Sequence, residues 1–162
     1  MGSSNRRWYL FLGAGCVLVT GGVAASLVLV FGGTSKAAVT KAEYFARVAA
    51  ICRVYGPQLD RFPPPADIAA PGEIVTSVEK ALPVIQAETR ALRKLRVPGE
   101  LRAKLARWFD LNDRSIAKLG ESLRAAREPN ISVMGVAYVQ FLKAGTAAEH
   151  VGRAIGFPRP PC

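Results

Sequence analysis

The pattern of apolar and polar positions divides the chain into one long apolar run near the N-terminus and a remainder with helical periodicity. Residues 8–35 carry no charged side chain. The run at 8–33, WYLFLGAGCVLVTGGVAASLVLVFGG, is long enough to cross a hydrocarbon core of about 30 Å as a helix. The pattern therefore predicts a transmembrane helix at residues 8–33, between a cytoplasmic tail at 1–7 and a linker at 34–39.

The charges beside this run favour one orientation. Arg6 and Arg7 precede it in a short basic tail, which favours a cytoplasmic N-terminus and an outer location for residues 36–162. A cleaved signal peptide, a twin-arginine signal and a lipid-modified Cys16 are the alternatives. Because the apolar run is too long for a signal peptide and continues past Cys16, an uncleaved single-pass anchor in the cell membrane is the preferred interpretation.

Four small residues give the predicted span two close-packing pairs. They are spaced four apart, as in membrane helices whose backbones approach a neighbouring helix closely. Small residues are also common in membrane helices without such a role. If the pairs are used, they indicate a partner helix, and thus a membrane protein complex, through Gly21, Gly22, Ala25 and Ser26.

Beyond the linker, the sequence predicts four amphipathic helices. Thr40 and Glu43 have the spacing of a capping box, and prolines at 63–65, 98 and 129 interrupt the helical pattern. No segment alternates with period two for long enough to form a strand. We therefore expect an all-α protein, with an up-down four-helix bundle at residues 40–162. The apolar stripes contain Phe45, Val48, Cys52 and Tyr55; Val75, Val78, Leu82, Ile85 and Leu92; Leu101, Leu105, Trp108, Ile116, Leu119 and Leu123; and Met134, Tyr138, Phe141, Ala148, Val151 and Ile155.

The charge balance indicates an anionic partner. Lysine and arginine number 22 against 12 acidic residues, a formal net charge of +10. Such an excess attracts polyanions, and the predicted anchor argues against nucleic acid as the partner. Seven basic residues flank the turn between the second and third helices, close to a single acid, Glu100. They form a candidate basic patch of Arg90, Arg93, Lys94, Arg96, Arg102, Lys104 and Arg107.

Two residues of this basic patch lie at the start of a predicted helix, where positive charge is unfavourable. Positive charge at the end of the second helix complements the helix dipole, but Arg102 and Lys104 begin the third helix, where the dipole disfavours them. This placement favours an external anion, either anionic lipid headgroups or an acidic protein surface. A solvated charged turn is the alternative.

Catalytic and metal-binding signatures are missing from the sequence. It has no phosphate-binding loop, nucleophile elbow or zinc signature. Asp110 and Asp113, with Arg107 and Arg114 nearby, are expected to form a solvated ion-pair surface. We therefore expect no enzyme activity, no metal and no cofactor. Haem ligation is conceivable in a helical bundle, but the spacing selects none of the possible ligands Tyr44, Tyr55 and the single histidine, His150.

The two outer cysteines favour a structural disulfide. Cys52 and Cys162 both follow the predicted span, and oxidising compartments favour pairing. The bond would close a loop of about a hundred residues, worth up to about 4–5 kcal/mol in the chain-entropy model. A reactive thiol at Cys52 is the alternative, but Cys52 shares an apolar stripe with Phe45 and Val48. Cys16 is expected to remain an unpaired thiol within the membrane.

Three pieces of the chain resemble small exported actinobacterial proteins. They are Ala49-Ala50-Ile51-Cys52, the run LRKLRVPGEL at 92–101, and Ile155-Gly156-Phe157 followed by Cys162. Those proteins have an N-terminal membrane segment, a helical outer domain and two cysteines. The resemblance implies fold and location and carries no activity.

These observations together predict a non-enzymatic cell-envelope protein that acts by binding. We expect an accessory subunit or adaptor of a membrane complex. The alternative is a membrane-tethered helical bundle that binds a small ligand or a lipid.

Overall fold

Four α-helices follow one another along the part of the chain that the structure, a computed structural model, describes, which is residues 38–128 and 130–157. The predicted all-α class is confirmed for these residues, which contain no strand. The predicted tail, membrane helix and most of the linker lie outside them and stay predictions. The helices are α1 (Lys41–Leu59), α2 (Pro71–Arg93), α3 (Arg102–Arg127) and α4 (Ile131–Ile155), with a 3₁₀ turn at Gly99–Leu101 before α3.

Local sequence signals explain where the helices begin. The predicted capping box is confirmed at α1, where the Glu43 amide donates to the Thr40 hydroxyl at 3.2 Å and the Thr40 amide donates to the Glu43 carboxylate at 2.8 Å. These bonds from Thr40 lower the pKa of Glu43. Pro71 opens α2 at a position where its missing amide costs nothing. At α4, the Asn130 side chain accepts from the Val133 amide at 3.2 Å.

Two hydrogen bonds from serine hydroxyl groups show how α3 and α4 pack against each other. The Ser115 hydroxyl donates to the Phe141 carbonyl at 3.1 Å, and the Ser122 hydroxyl donates to the Met134 carbonyl at 3.0 Å. Residue numbers rise along α3 as they fall along α4, so these two helices are antiparallel. A short polar group on α3 meets the backbone of α4 directly, and the two helices therefore pack closely.

The buried side chains form two clusters, one toward each end of the bundle. The aliphatic cluster joins the start of α2, the end of α3 and the start of α4. Its members are Ile74, Val78, Leu119, Leu123, Ala125, Ala126, Met134, Tyr138 and Phe141. The aromatic cluster joins the start of α1, the end of α2, the start of α3 and the end of α4. Its members are Tyr44, Val48, Leu92, Leu101, Leu105, Trp108, Phe109, Ala148, Ile155 and Phe157.

The two clusters distinguish the two ends of the bundle. The basic end contains the aromatic cluster and the connection between α2 and α3 at residues 94–101. The distal end contains the aliphatic cluster, the loop at residues 60–70 and the turn between α3 and α4. Because α1 begins at the basic end, the chain leading in from the predicted linker reaches the bundle there.

The outward side of α4 is unusually apolar. Among the described helices, α4 is the one that is long and apolar enough to cross a membrane, judged by length and composition. The most apolar stretch of α4 has a mean hydropathy of 1.2, and 28% of it is buried in the bundle. Its inner side packs on α3. Four aliphatic residues in the first half of the helix are exposed around its outer side and are together named here the valine face: Ile131, Val133, Val136 and Val139.

Candidate functional site at the basic end

The structure places all seven residues of the predicted basic patch at the basic end. Three lie in the last turn of α2 and at its end, one lies in the connection, and three lie in the first two turns of α3. Every one of the seven is exposed. The chain therefore brings to one end of the bundle the residues Arg90, Arg93, Lys94, Arg96, Arg102, Lys104 and Arg107.

Arg93 differs from the other six because it is bound within the bundle. Its guanidinium pairs with the Asp113 carboxylate of α3 and lies 4.6 Å from the centre of the Phe109 ring. The partner of Asp113 comes from α2, whereas Asp110 pairs with Arg114 of its own helix at 2.7 Å. Arg93 thus joins α2 to α3, and its charge is partly offset.

The remaining six basic side chains have no acidic partner within ion-pairing distance among the described residues. The first turn of α3 carries no acidic residue, and no side chain caps it. Glu100, in the 3₁₀ turn, is the nearby acid. The positive end of the α3 dipole therefore adds to the side-chain charge, and the basic end is suited to binding an anion.

A continuous series of aromatic contacts supports this end of the bundle. Tyr44 and Phe45 of α1 have ring centres 5.8 Å apart, and Phe45 lies 5.6 Å from Phe157. Phe157 lies 5.4 Å from Trp108 of α3, which lies 5.0 Å from Phe109. All four pairs meet edge to face, the favourable geometry for aromatic rings. The Arg93 guanidinium of α2 lies over the Phe109 ring. The series therefore connects α1, α2, α3 and the end of α4.

The end of α4 is shaped to place Phe157 in this series. The Phe157 amide donates to the Gly152 carbonyl and the Gly156 amide donates to the Arg153 carbonyl, each at 3.0 Å, which is a Schellman motif. Gly156 has φ 97°, a left-handed conformation that strongly favours glycine. A β-carbon on Gly152 would lie 3.3 Å from both Phe157 and Trp108. Glycine at position 152 therefore lets the two rings pack against the helix backbone.

Cys52 lies on α1 beside the aromatic cluster and is half-buried. It is not a free thiol, so the reactive-thiol alternative does not hold. Its predicted partner, Cys162, lies outside the described residues, and the pairing stays a prediction. The predicted close-packing residues Gly21, Gly22, Ala25 and Ser26 lie outside them as well.

The structure also reveals a buried carboxyl group that the sequence analysis missed. Glu88 of α2 is 8% exposed, and burial raises its pKa to about 8. It has no hydrogen-bond or ion-pair partner within the described ranges. The spacing contained a signal for this position, because Glu88 stands three residues after Ile85 and four before Leu92 on the apolar stripe of α2.

The conceivable haem ligands are not gathered into a site. Tyr44 is buried in the aromatic cluster, and burial raises its pKa to about 12. His150 is exposed, and its Nδ1 lies 3.1 Å from the Arg153 guanidinium. Within residues 38–128 and 130–157, no group of three or more histidine, cysteine or acidic side chains is arranged to hold a metal ion.

The distal end has an open depression of about 200 Å³ where α3 meets α4. Charged and polar side chains form most of its lining, whereas small-molecule sites are typically enclosed and largely apolar. The lining residues are Glu121, Arg124, Ala125, Glu128, Asn130 and Val133.

Comparison with known proteins adds no relative: no family model, no curated protein and no solved structure matches this chain.

Proposed function

We propose that the protein is a non-enzymatic adaptor or accessory subunit of the cell envelope, anchored by residues 8–33 with its bundle on the outer side of the membrane. In this proposal the basic end docks on an anionic surface at the membrane. One observation carries the proposal: the exposed basic residues lie at the end of the bundle where the chain from the predicted anchor enters.

The length of the linker supports this orientation. Six residues at 34–39 span at most about 20 Å when fully extended. The basic end is therefore held near the membrane surface, whereas the distal end is separated from it by the length of the bundle. A 23-residue helix such as α2 is about 35 Å long.

The charge supports lipid headgroups as the surface. Residues 90–107 contain seven basic residues and one acid, so they hold +6 of the formal net charge of +10. Each lysine or arginine near an anionic bilayer contributes about 1 kcal/mol, within a Debye length of about 8 Å at physiological salt. Several such contacts together would hold the domain against the headgroups.

We also propose a disulfide between Cys52 and Cys162, which would fasten the tail to α1. Cys52 follows Phe45 by seven residues, about 10 Å along the helix. Phe45 contacts Phe157, and the five residues that follow Phe157, 158–162, reach up to about 17 Å when extended. The tail is therefore long enough to make the bond.

Peptide mapping without reductant tests this pairing. The extracted protein should release a crosslinked pair of peptides containing Cys52 and Cys162, with Cys16 in an alkylated peptide. Recovery of both outer cysteines as alkylated peptides would contradict the proposal.

Purification from the native host in mild detergent tests the adaptor function. Wild-type protein should retain partner subunits in fixed stoichiometry.

Variants of the basic end show what that end binds. Changing Lys94, Arg96, Arg102 and Lys104 to serine removes four charges from the basic end. The matched control removes four exposed charges elsewhere, from Arg53, Arg61, Lys80 and Arg124. If an acidic face of the partner occupies the basic end, only the first variant loses the subunits; if lipid does, both keep them. Retention of a tightly bound small molecule or lipid, with no protein partner, would overturn the adaptor function and support a ligand-binding bundle.

A further inference from the structure

The valine face is the largest group of exposed aliphatic side chains among the described residues. Ile131 is 57% exposed and Val136 is 56% exposed, and Val133 and Val139 are each 41% exposed. The other large hydrophobic residues with comparable exposure, Val54 and Ile68, lie on different elements. Exposed apolar patches of this kind mark interaction surfaces.

The residues around this face allow another helix to approach closely. Ser132, Val136, Val139 and Lys143 recur at spacings of four, three and four, which places them along one side of α4. Gly135 lies within the same surface, and a β-carbon added there would meet nothing within 4 Å. A second helix can therefore lie along the first half of α4 without a steric obstacle from this chain.

We propose that the valine face binds the valine face of a second copy of this chain, with the two α4 helices antiparallel and Val136 near the two-fold axis. A two-fold interface requires a surface that complements itself. Val136 and Val139 share one side of α4 with the small residues Ser132 and Gly135, and this side meets the requirement.

Charges at the two ends of the face select the antiparallel direction. Residues 131–142 carry no charged side chain; Glu128 lies just before α4 and Lys143 lies two turns after Val136. Neither Glu128 nor Lys143 forms an ion pair with another described residue. Turning one copy around Val136 brings Glu128 of each chain opposite Lys143 of the other. A parallel arrangement would set like charges side by side.

The size of the face indicates where the dimer forms. Half of one helix buries less than the roughly 800 Å² per partner of a standard interface, so the dimer is weak in dilute solution. Two copies anchored in one membrane meet at a high effective concentration, which compensates for a small interface. This step depends on the anchor in the proposed function.

Disulfide crosslinking in membranes tests the proposal. The full chain carries Cys16→Ser to prevent crosslinking through the span, together with Val136→Cys. The matched control carries Val54→Cys instead, at a residue that is 58% exposed and lies on α1. Two cysteines near the two-fold axis come within the roughly 4 Å between β-carbons that a disulfide requires. With mild oxidant, the Val136→Cys chain should therefore give a homodimer band at least about fivefold stronger than the Val54→Cys chain, which meets its copy only by collision.

The outcomes of this experiment separate the two proposals. Protein missing from the membrane fraction would contradict the anchor. Protein in the membrane fraction with no excess of homodimer for Val136→Cys over Val54→Cys would overturn the dimer and leave the anchor intact. A crosslink from position 136 to a different protein would equally overturn the second copy as the occupant.

Charge reversal tests the register. In the Val136→Cys background, Glu128→Lys or Lys143→Glu alone replaces attraction by repulsion in two symmetric pairs, and each should weaken the crosslink about fivefold. The double variant restores opposite charges and should restore the band. Single variants that crosslink like the parent, or a double variant no better than either single variant, would contradict the antiparallel arrangement.

Discussion

The basic end and the distal end of the bundle differ in both core and surface. At the basic end, edge-to-face rings from α1, α3 and Phe157 dominate the core, and lysines and arginines cover the outside. At the distal end, aliphatic and small side chains pack with the rings of Tyr138 and Phe141, serine hydroxyls donate to helix carbonyls, and the surface carries the valine face. The two proposals made above use this difference: an anionic surface for the basic end and a second copy of the chain for the valine face.

The two ends also attach the helices in different ways. Of the three buried residues of α1, Tyr44 and Val48 belong to the aromatic cluster, Leu59 belongs to neither cluster, and the aliphatic cluster contains no residue of α1. The attachment of α1, and with it the chain leading to the predicted anchor, therefore depends mainly on the basic end. Changes there should release α1, whereas changes at the distal end should weaken the bundle without releasing α1 selectively.

Removal of the Phe157 ring should have the largest effect. Phe157 is 4% exposed and contacts both Phe45 and Trp108, so Phe157→Ala should lower the free energy of unfolding by about 3–5 kcal/mol. Phe141→Ala, at a buried ring of the aliphatic cluster, is the matched control. Hydrogen exchange should show selective loss of protection in α1 for Phe157→Ala only. Equal loss of protection in α1 for both variants would contradict the difference in attachment.

The buried carboxyl group of Glu88 should make stability depend on pH. Burial raises its pKa in the folded state to about 8 from the ordinary 4.5. The folded protein therefore binds a proton that the unfolded chain releases between these values, and stability falls as the pH rises from about 4.5 to 8. Glu88→Gln removes this loss, and should stabilise the bundle by on the order of 4 kcal/mol at pH 8.5 relative to its effect at pH 4.

Chemical denaturation at both pH values measures this effect. Glu100→Gln, at an exposed carboxyl group, is the control for the loss of one negative charge. A difference between Glu88→Gln and wild type that stays constant from pH 4 to pH 8.5 would show that Glu88 is not held protonated by burial.

Two glycines, one at each end, should respond to alanine with opposite signs. At Gly152 the new β-carbon would lie 3.3 Å from two aromatic rings, so Gly152→Ala should cost about 1 kcal/mol even after the gain in helix propensity. At Gly120 the nearest atom would be Leu82 Cδ2 at 3.8 Å, an ordinary contact. Gly120→Ala should therefore stabilise by up to about 1 kcal/mol. Thermal unfolding of both variants decides the signs, and stabilisation by both would refute the tight ring packing at Gly152.

The sequence predicted the helices well because their signals are local. The capping box at Thr40 and Glu43, the prolines after α1 and before α3, and the three-and-four spacing of apolar residues each act within a few residues. These signals identify the four helices and most of their buried sides. They also bring the basic patch to one end, since antiparallel helices joined by a short connection keep the residues flanking it together.

Contacts between helices were harder to predict. The pairing of Arg93 with Asp113 spans twenty residues and depends on how α2 lies against α3. Phe157 follows the last helix, where helical spacing no longer applies, so its place among the rings required the left-handed turn that ends α4. Tyr44 and Phe109 were left out of the apolar stripes because each adjoins another aromatic residue. Periodicity alone did not show that Tyr44 is more deeply buried than Phe45, or that Phe109 is buried together with Trp108.

The most direct test of the account is binding of the outer fragment, residues 38–162, to vesicles of increasing anionic lipid content. The wild-type fragment should bind in a salt-sensitive manner. Replacing Lys94, Arg96, Arg102 and Lys104 by serine should weaken binding on the order of a thousandfold, because each of the four charges near the surface contributes about 1 kcal/mol. Removing the same number of charges from Arg53, Arg61, Lys80 and Arg124 should change binding far less. Equal binding by the two variants would contradict the claim that the basic end faces an anionic surface.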